Sequence, residues 1–296
     1  MFKIDVPATS ANLGAGFDTL GIALDLKNTV YMDLADEIII ESNEPGVPKD
    51  ESNLIYKTAK YLFEKAGEEL KGLHIKQEDN IPMTRGLGSS SACIVAGLFG
   101  ANALLGDRFS IGELAFMAAQ LEHHPDNIAP AIYGGIVASV LTEDKLITSK
   151  KNLKDDLSFV VIIPNRELET SLARSVIPEK IPHRDAVFNL GRCTLMFDSL
   201  AEGNYSQLKY LAEDKLHQTY RMDLIMGARD IIRRSYEFGA YCGFISGAGS
   251  SLMTIAPLDN EEYFNKMRDF LRDNGYGAYR ILALKPNNLG VVVTKL

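Results

Sequence analysis

The sequence predicts an α+β fold. Three observations carry this: strand-like runs near the start, capped helical patterns in mid-chain, and late pieces that read strand, helix, strand. Residues 2–6 alternate apolar and polar like a strand. Residues 28–34 and 37–42 read as a pair of strands. Residues 53–66 form an amphipathic helix pattern with Leu54, Ala59, Leu62 and Phe63 on its apolar side and Ser52 at its start. A further strand covers 73–77.

A glycine loop follows, Pro82-Met83-Thr84-Arg85-Gly86-Leu87-Gly88-Ser89-Ser90-Ser91-Ala92, and runs into a small-residue helix over 93–105. Residues 110–121 read as the next helix, with Ser110 as cap and Glu113 at the capping-box position. Residues 122–130 read as a Pro-broken turn, 136–141 as a strand, and 142–156 as a charged connector. The domain boundary is expected there, separating 1–150 from 151–296. Beyond it come a buried strand (159–163), a short helix opening at 169–175, helices at 183–202 and 224–238, and a strand–glycine loop–strand unit at 243–252. Another helix (259–274) and two closing strands (277–284 and 289–294) complete the chain.

Composition narrows the function. The 296 residues suffice for a large core in one or two domains. At 46% hydrophobic and 24% charged, the chain has an ordinary globular balance. Its net charge of -8 argues against nucleic acid as the main partner. Cys93, Cys193 and Cys242 are far apart and odd in number, so neither a disulfide framework nor a metal spacing is present. No signal peptide or membrane span is visible, and a reducing cytoplasm is the expected home.

The loop carries the first chemical signal. Two glycines permit a tight turn and close approach to a ligand, and the serines open a helix whose free N–H groups favour an anion. The Walker A and Rossmann patterns are both absent. A capped turn with no ligand explains the same residues equally well in isolation. The stretch Glu122-His123-His124-Pro125-Asp126-Asn127 gathers carboxylates, imidazoles and an amide. Zinc is disfavoured, since the histidines are adjacent and nothing completes a tetrahedral set.

Taken together, the motifs resemble the homoserine kinases of the GHMP kinase superfamily. The loop is similar to the superfamily pattern P-x-x-x-G-L-G-S-S-x-A. Residues 7–21 resemble the family's amino-terminal signature, P-A-T-S-A-N-L-G-x-G-F-D-x-L-G. The stretch at 124–130 resembles H-P-D-N-x-A-P, although many relatives carry Gly where His123 stands. Ser246-Gly247-Ala248-Gly249-Ser250-Ser251 resembles the third superfamily signature.

That resemblance implies a ribosomal protein S5 domain 2-like first domain, a ferredoxin-like second domain, and an active site in the cleft between them. It implies transfer of the γ-phosphoryl group of ATP to the side-chain hydroxyl of L-homoserine, on the path to threonine. ATP would be held by Asn53, Pro82, Arg85, Gly86, Leu87, Gly88, Ser89, Ser90, Ser91 and Ala92, and Mg²⁺ by Ser90 and Glu122. The acceptor would meet Asn12, Asp18, His124, Thr170, Arg174 and Arg221, with the arginines on its carboxylate and Asp18 on its ammonium. Asp126 and Asn127 would flank the reacting hydroxyl, Asp126 as general base or as an orienting group. Rival expectations are a GHMP kinase for mevalonate or shikimate, and a non-catalytic sensor of the same fold. A homodimer is common among relatives.

Overall fold

A computed structural model describes all residues, 1–296. The chain opens with β1 (Phe2–Ala11), β2 (Leu20–Ala35) and β3 (Ile39–Ser42), then α1 (Leu54–Lys65), β4 (Gly72–Glu78), α2 (Ser89–Leu104), α3 (Ile111–Glu122) and α4 (Pro125–Tyr133). It continues through β5 (Ile136–Leu141), β6 (Leu146–Lys151), β7 (Leu157–Ile163), α5 (Thr170–Ser175), α6 (His183–Glu202), α7 (Leu208–Leu211) and α8 (Gln218–Arg221). It closes with α9 (Ala228–Glu237), β8 (Cys242–Ile245), β9 (Leu252–Pro257), α10 (Glu261–Asp273), β10 (Arg280–Leu284) and β11 (Val292–Lys295).

Two sheets organise these elements. A seven-stranded sheet has the order β11-β1-β2-β4-β3, with β5 joined to β2 and β6 to β5. A four-stranded sheet has the order β10-β7-β9-β8, all antiparallel. The fold is α+β, as the strand and helix patterns imply. The small-residue helix α2 is buried from Ser91 to Ala103 on nearly every side. Its many Ala and Gly residues let it lie close against β1 and α1, so a central helix positions the glycine loop at its own N-terminus.

Several local expectations need correcting. The strands at 28–34 and 37–42 do not pair. β4 lies between them, antiparallel to β2 and parallel to β3. Buried Leu73 and Ile75 gain a strand on each side by that insertion, which alternation alone does not encode. The Pro-broken turn is the helix α4. Pro125 stands in its first turn, where no N–H is needed, and Pro130 lies inside it. The connector at 142–156 contains a strand, β6, paired with β5. Residues 6–11 continue β1, with a register shift between Pro7 and Ala8. The final strand, β11, pairs with β1, so the tail of the chain joins the first sheet.

Candidate active site

A cavity of about 330 Å³ lies where the glycine loop, the N-terminus of α4, α5, α8 and the loop after β8 converge. It is lined by Asn12, Asp18, residues 84–90, Glu122, His124, Asp126, Asn127, Thr170, Arg174, Arg221, Gly247 and Ala248. A larger groove of about 490 Å³ between α10 and the second sheet has no comparable convergence of titratable groups, so volume alone does not mark the site.

The floor of the cavity is the turn into α2. Gly86 and Gly88 both have φ of 71°, in the left-handed region that favours glycine. A Cβ on Gly86 would lie 2.2 Å from the Ser246 carbonyl oxygen, and one on Gly88 would lie 2.0 Å from Thr9 Oγ1. The loop is stitched down from two sides. Thr9 N donates to the Leu87 carbonyl at 3.1 Å, and Ser246 Oγ donates to the Gly86 carbonyl at 2.6 Å. No side chain caps α2, and its first intrahelical bond at this end is Ala92 N to the Gly88 carbonyl. The N–H groups of Ser89, Ser90 and Ser91 therefore remain for an anion, at the positive end of a 16-residue helix.

Ser90 Oγ donates to Glu122 Oε2 at 3.1 Å, and Ser91 Oγ donates to Glu122 Oε1 at 2.9 Å. No group of three His, Cys, Asp or Glu side chains is arranged to hold a metal ion. One hydroxyl and one carboxylate make a hard, incomplete oxygen set. That suits a magnesium ion whose remaining ligands are phosphate oxygens and water, and it does not suit zinc. His123 follows at φ 70° as the C-cap of α3, a left-handed position where glycine is the unstrained residue.

At the other end, the expected acceptor residues divide into a pair and a lone cation. Arg174 donates to both oxygens of Asp18, at 3.0 and 2.7 Å. Arg221 is 1% exposed and has no carboxylate partner. Its Nε donates to the Ala173 carbonyl at 2.9 Å, and its Nη1 lies 3.3 Å from the Gly247 carbonyl and 3.2 Å from His217 Nδ1. Nη2 has no acceptor within the chain. Burial, reinforced by Arg174, pulls the Arg221 guanidinium down to about 10, so it is still charged at neutral pH. Phe17 presents its ring to both cations, 5.6 Å from Arg174 and 5.3 Å from Arg221.

Between loop and cations stands α4. Asp126 is 2% exposed, and its Oδ1 is buried without a hydrogen bond. His124 Nδ1 lies 3.3 Å from that oxygen. Burial acts to lower the His124 pKa, but Asp126 and Glu122 outweigh it and raise it from the ordinary histidine value. Asn127 Oδ1 accepts from Thr9 Oγ1 at 2.8 Å, which fixes the orientation of its amide.

Six of the expected contact residues have bonds or surroundings of their own within the chain. Asn53 caps α1: its Oδ1 accepts from Ile55 N and Tyr56 N, and its Nδ2 donates to the Pro48 carbonyl and Gln77 Oε1. With its amide saturated, it shapes a neighbouring pocket of about 290 Å³ and offers a base no free polar atom. Asn12 is similarly engaged, accepting from Asp18 N and donating to the Gly247 carbonyl. Arg85 turns its guanidinium to the Pro164 carbonyl and Glu167. Pro82 lines a separate pocket on the far side of Arg85. Ala92 is buried within the helix, and Ser91 reaches the cavity through Glu122. Sequence reasoning missed Thr9, Phe17 and His217. Thr9 and Phe17 sit inside the amino-terminal motif and His217 lies four residues before Arg221, yet none carries a chemical signal by itself.

The cavity thus sets the free N–H groups of a helix N-terminus opposite a polar pocket, an arrangement of the kind a small-molecule kinase needs. Residues 53–135 match the GHMP kinases N terminal domain family, and the chain belongs to the GHMP kinases. Within that superfamily it belongs to the homoserine kinases. It is 43% identical to the homoserine kinase of Clostridium beijerinckii, over 99% of this chain and 98% of that one. It is 44% identical to the homoserine kinase of Caldicellulosiruptor saccharolyticus, over 99% of this chain and 96% of that one. The crystal structure of homoserine kinase from Cytophaga hutchinsonii superposes with a TM-score of 0.87 at 29% identity, covering 99% and 97% of the two chains. A mevalonate kinase from L. major, solved in complex with R-mevalonate, superposes at 0.71 with 13% identity over 96% of each chain, which shows the shared fold alone.

Proposed function

We propose that this chain transfers the γ-phosphoryl group of ATP to the side-chain hydroxyl of L-homoserine, in the cavity between the α2 N-terminus and Arg221. The observation that carries this reading is the buried, unpaired guanidinium of Arg221. It faces the same cavity as a buried Asp126 oxygen that accepts no hydrogen bond, with only His124 Nδ1 at 3.3 Å beside it. Buried charges without partners are costly, and a zwitterionic alcohol supplies what both lack.

The acceptor carboxylate lies on Arg221 Nη2. Its ammonium lies on Asp18, whose oxygens keep lone pairs after binding Arg174. Arg174 then orients Asp18 and balances its charge instead of clamping the acceptor alone. His124 and Asn127 flank the hydroxyl, and Thr170 closes the wall. The triphosphate lies against the N–H groups of Ser89, Ser90 and Ser91. Ser90 and Glu122 would hold Mg²⁺, which supplies charge neutralisation on the phosphate oxygens when bound.

Phosphoryl transfer needs positioning more than covalent chemistry. Asp126 accepts a hydrogen bond from the acceptor hydroxyl, aims its oxygen at the γ-phosphorus, and takes the proton as the new O–P bond forms and the bond to the bridging oxygen breaks, releasing ADP. Asp126→Asn is expected to lower kcat by about 100-fold with the homoserine KM within about threefold of the parent. An undiminished kcat would remove Asp126 from the reaction. A panel of homoserine, mevalonate and shikimate with ATP and Mg²⁺ tests the acceptor. Phosphorylation of mevalonate but not homoserine would overturn the reading, and tight binding without turnover would make the chain a sensor. The three cysteines are unpaired, which fits a reducing compartment such as the cytoplasm. No helix is long and apolar enough to cross a membrane.

A further inference from the structure

We propose that His217, as its neutral Nε2–H tautomer, is a positioning residue for the acceptor: it fixes the Arg221 guanidinium so that Nη2 faces the cavity. This rests on the reading that Arg221 receives the acceptor carboxylate.

The imidazole is fully buried, and each nitrogen has one partner. Nε2 lies 2.8 Å from the Gly14 carbonyl, which can only accept, so Nε2 carries the hydrogen. Nδ1 lies 3.2 Å from Arg221 Nη1, which can only donate, so Nδ1 presents its lone pair. The two partners together specify one tautomer. A second proton would set N–H against N–H and one cation against another.

The surroundings hold that state. Phe17 stacks on the ring, with centroids 5.1 Å apart and planes 20° apart, and sets its tilt. Asp214 is the nearest carboxylate, with Oδ2 at 3.8 Å from Nε2, beyond hydrogen-bond reach. It already accepts from Leu216 N, His217 N, Gln218 N and Asn189 Nδ2. Asp18 and Arg174, the other charged groups on this side, are committed to each other.

A guanidinium is planar, so fixing Nε and Nη1 fixes the direction of Nη2. The Ala173 carbonyl holds Nε, while the Gly247 carbonyl and His217 Nδ1 hold Nη1. Of the three, His217 is the only side chain. The site therefore owes its carboxylate geometry to a histidine that touches no substrate atom.

Two variants separate positioning from bulk structure. His217→Asn keeps an acceptor near the Nδ1 position. His217→Gln reaches toward Gly14 and leaves Nδ1 empty. With the full chain, ATP and Mg²⁺, the Gln variant is expected to raise the homoserine KM about tenfold, with kcat and the ATP KM within about twofold of the parent. The Asn variant should recover most of that loss. 3-Aminopropan-1-ol lacks the carboxylate, so the Gln variant should lower the preference for homoserine over this alcohol by about the same tenfold factor. Equal impairment by Asn and Gln on both acceptors would make His217 merely structural and overturn the proposal. An Arg221→Met control divides the failures. If it raises the homoserine KM while His217→Gln does not, the His217 role falls and the Arg221 reading stands. If it leaves that KM unchanged, both fall. A ¹⁵N spectrum of the parent protein showing a protonated Nδ1 would refute the tautomer whatever the variants do.

Discussion

Arg221→Met puts the central electrostatic argument at risk. In the free protein Arg221 is a buried cation without a carboxylate, and burial lowers its pKa from the ordinary arginine value to about 10. At 1.36 kcal/mol per unit, the charged form carries a penalty of about 3 kcal/mol in the fold. Methionine removes that penalty and fills comparable space. It also leaves the Ala173 and Gly247 carbonyls without this donor, at about 1 kcal/mol or more each. The two effects nearly cancel, so the melting temperature should stay within about 4 °C of the parent. The acceptor, by contrast, loses charge-assisted hydrogen bonds of about 1.5–3 kcal/mol each. Homoserine kcat/KM should therefore fall at least about 100-fold, read by coupled ADP release, and homoserine should no longer raise the melting temperature. A variant that melts far below the parent yet keeps its kcat/KM would show that Arg221 braces the fold and does not receive substrate.

Three further outcomes follow from the geometry. Gly88→Ala places a Cβ 2.0 Å from Thr9 Oγ1 at φ 71°, a left-handed position worth about 1–2 kcal/mol, and should raise the ATP KM about tenfold or more in steady-state assays. Asn53→Ala removes an N-cap and should cost about 1 kcal/mol in denaturant unfolding, with the ATP KM within about twofold; a large KM change would return Asn53 to the nucleotide. The two site histidines should titrate on opposite sides of 6.5, the ordinary histidine value, by NMR. His217 is lowered, mainly by burial, so its contribution to stability is intact above 6.5 and is lost as pH falls through its folded value. His124 is raised, so its contribution is full below 6.5 and is lost as pH rises through its folded value.

Much of the site was legible because it is written in contiguous loops. The glycines at 86 and 88 announce a turn that only glycine tolerates, and Ser110 with Glu113 announces a capping box that the structure contains. What was not legible depends on who faces whom. Asn53 as a cap and Asn53 as a base ligand leave the same trace in the sequence, and only the four hydrogen bonds around its amide separate them. Asp18 and Arg174 are 156 positions apart, so their pairing could not be read, and neither could the isolation of Arg221 that follows from it. Strand order was hidden for the same reason: β4 enters between β2 and β3 from a distance, whereas alternation reports only which face is buried. Thr9 matters through a hydrogen bond to Asn127, 118 positions away, and His217, although only four positions from Arg221, is oriented by the Gly14 carbonyl 203 positions away; no local pattern signals either bond.

The most direct measurement is a crystal structure of the chain with homoserine and a non-hydrolysable ATP analogue. The acceptor carboxylate should lie about 2.8 Å from Arg221 Nη2, with its ammonium on Asp18 and its hydroxyl between Asp126 and the terminal phosphate over the α2 N-terminus. Homoserine bound with its carboxylate away from Arg221, or a triphosphate lodged away from Ser89–Ser91, would contradict the account.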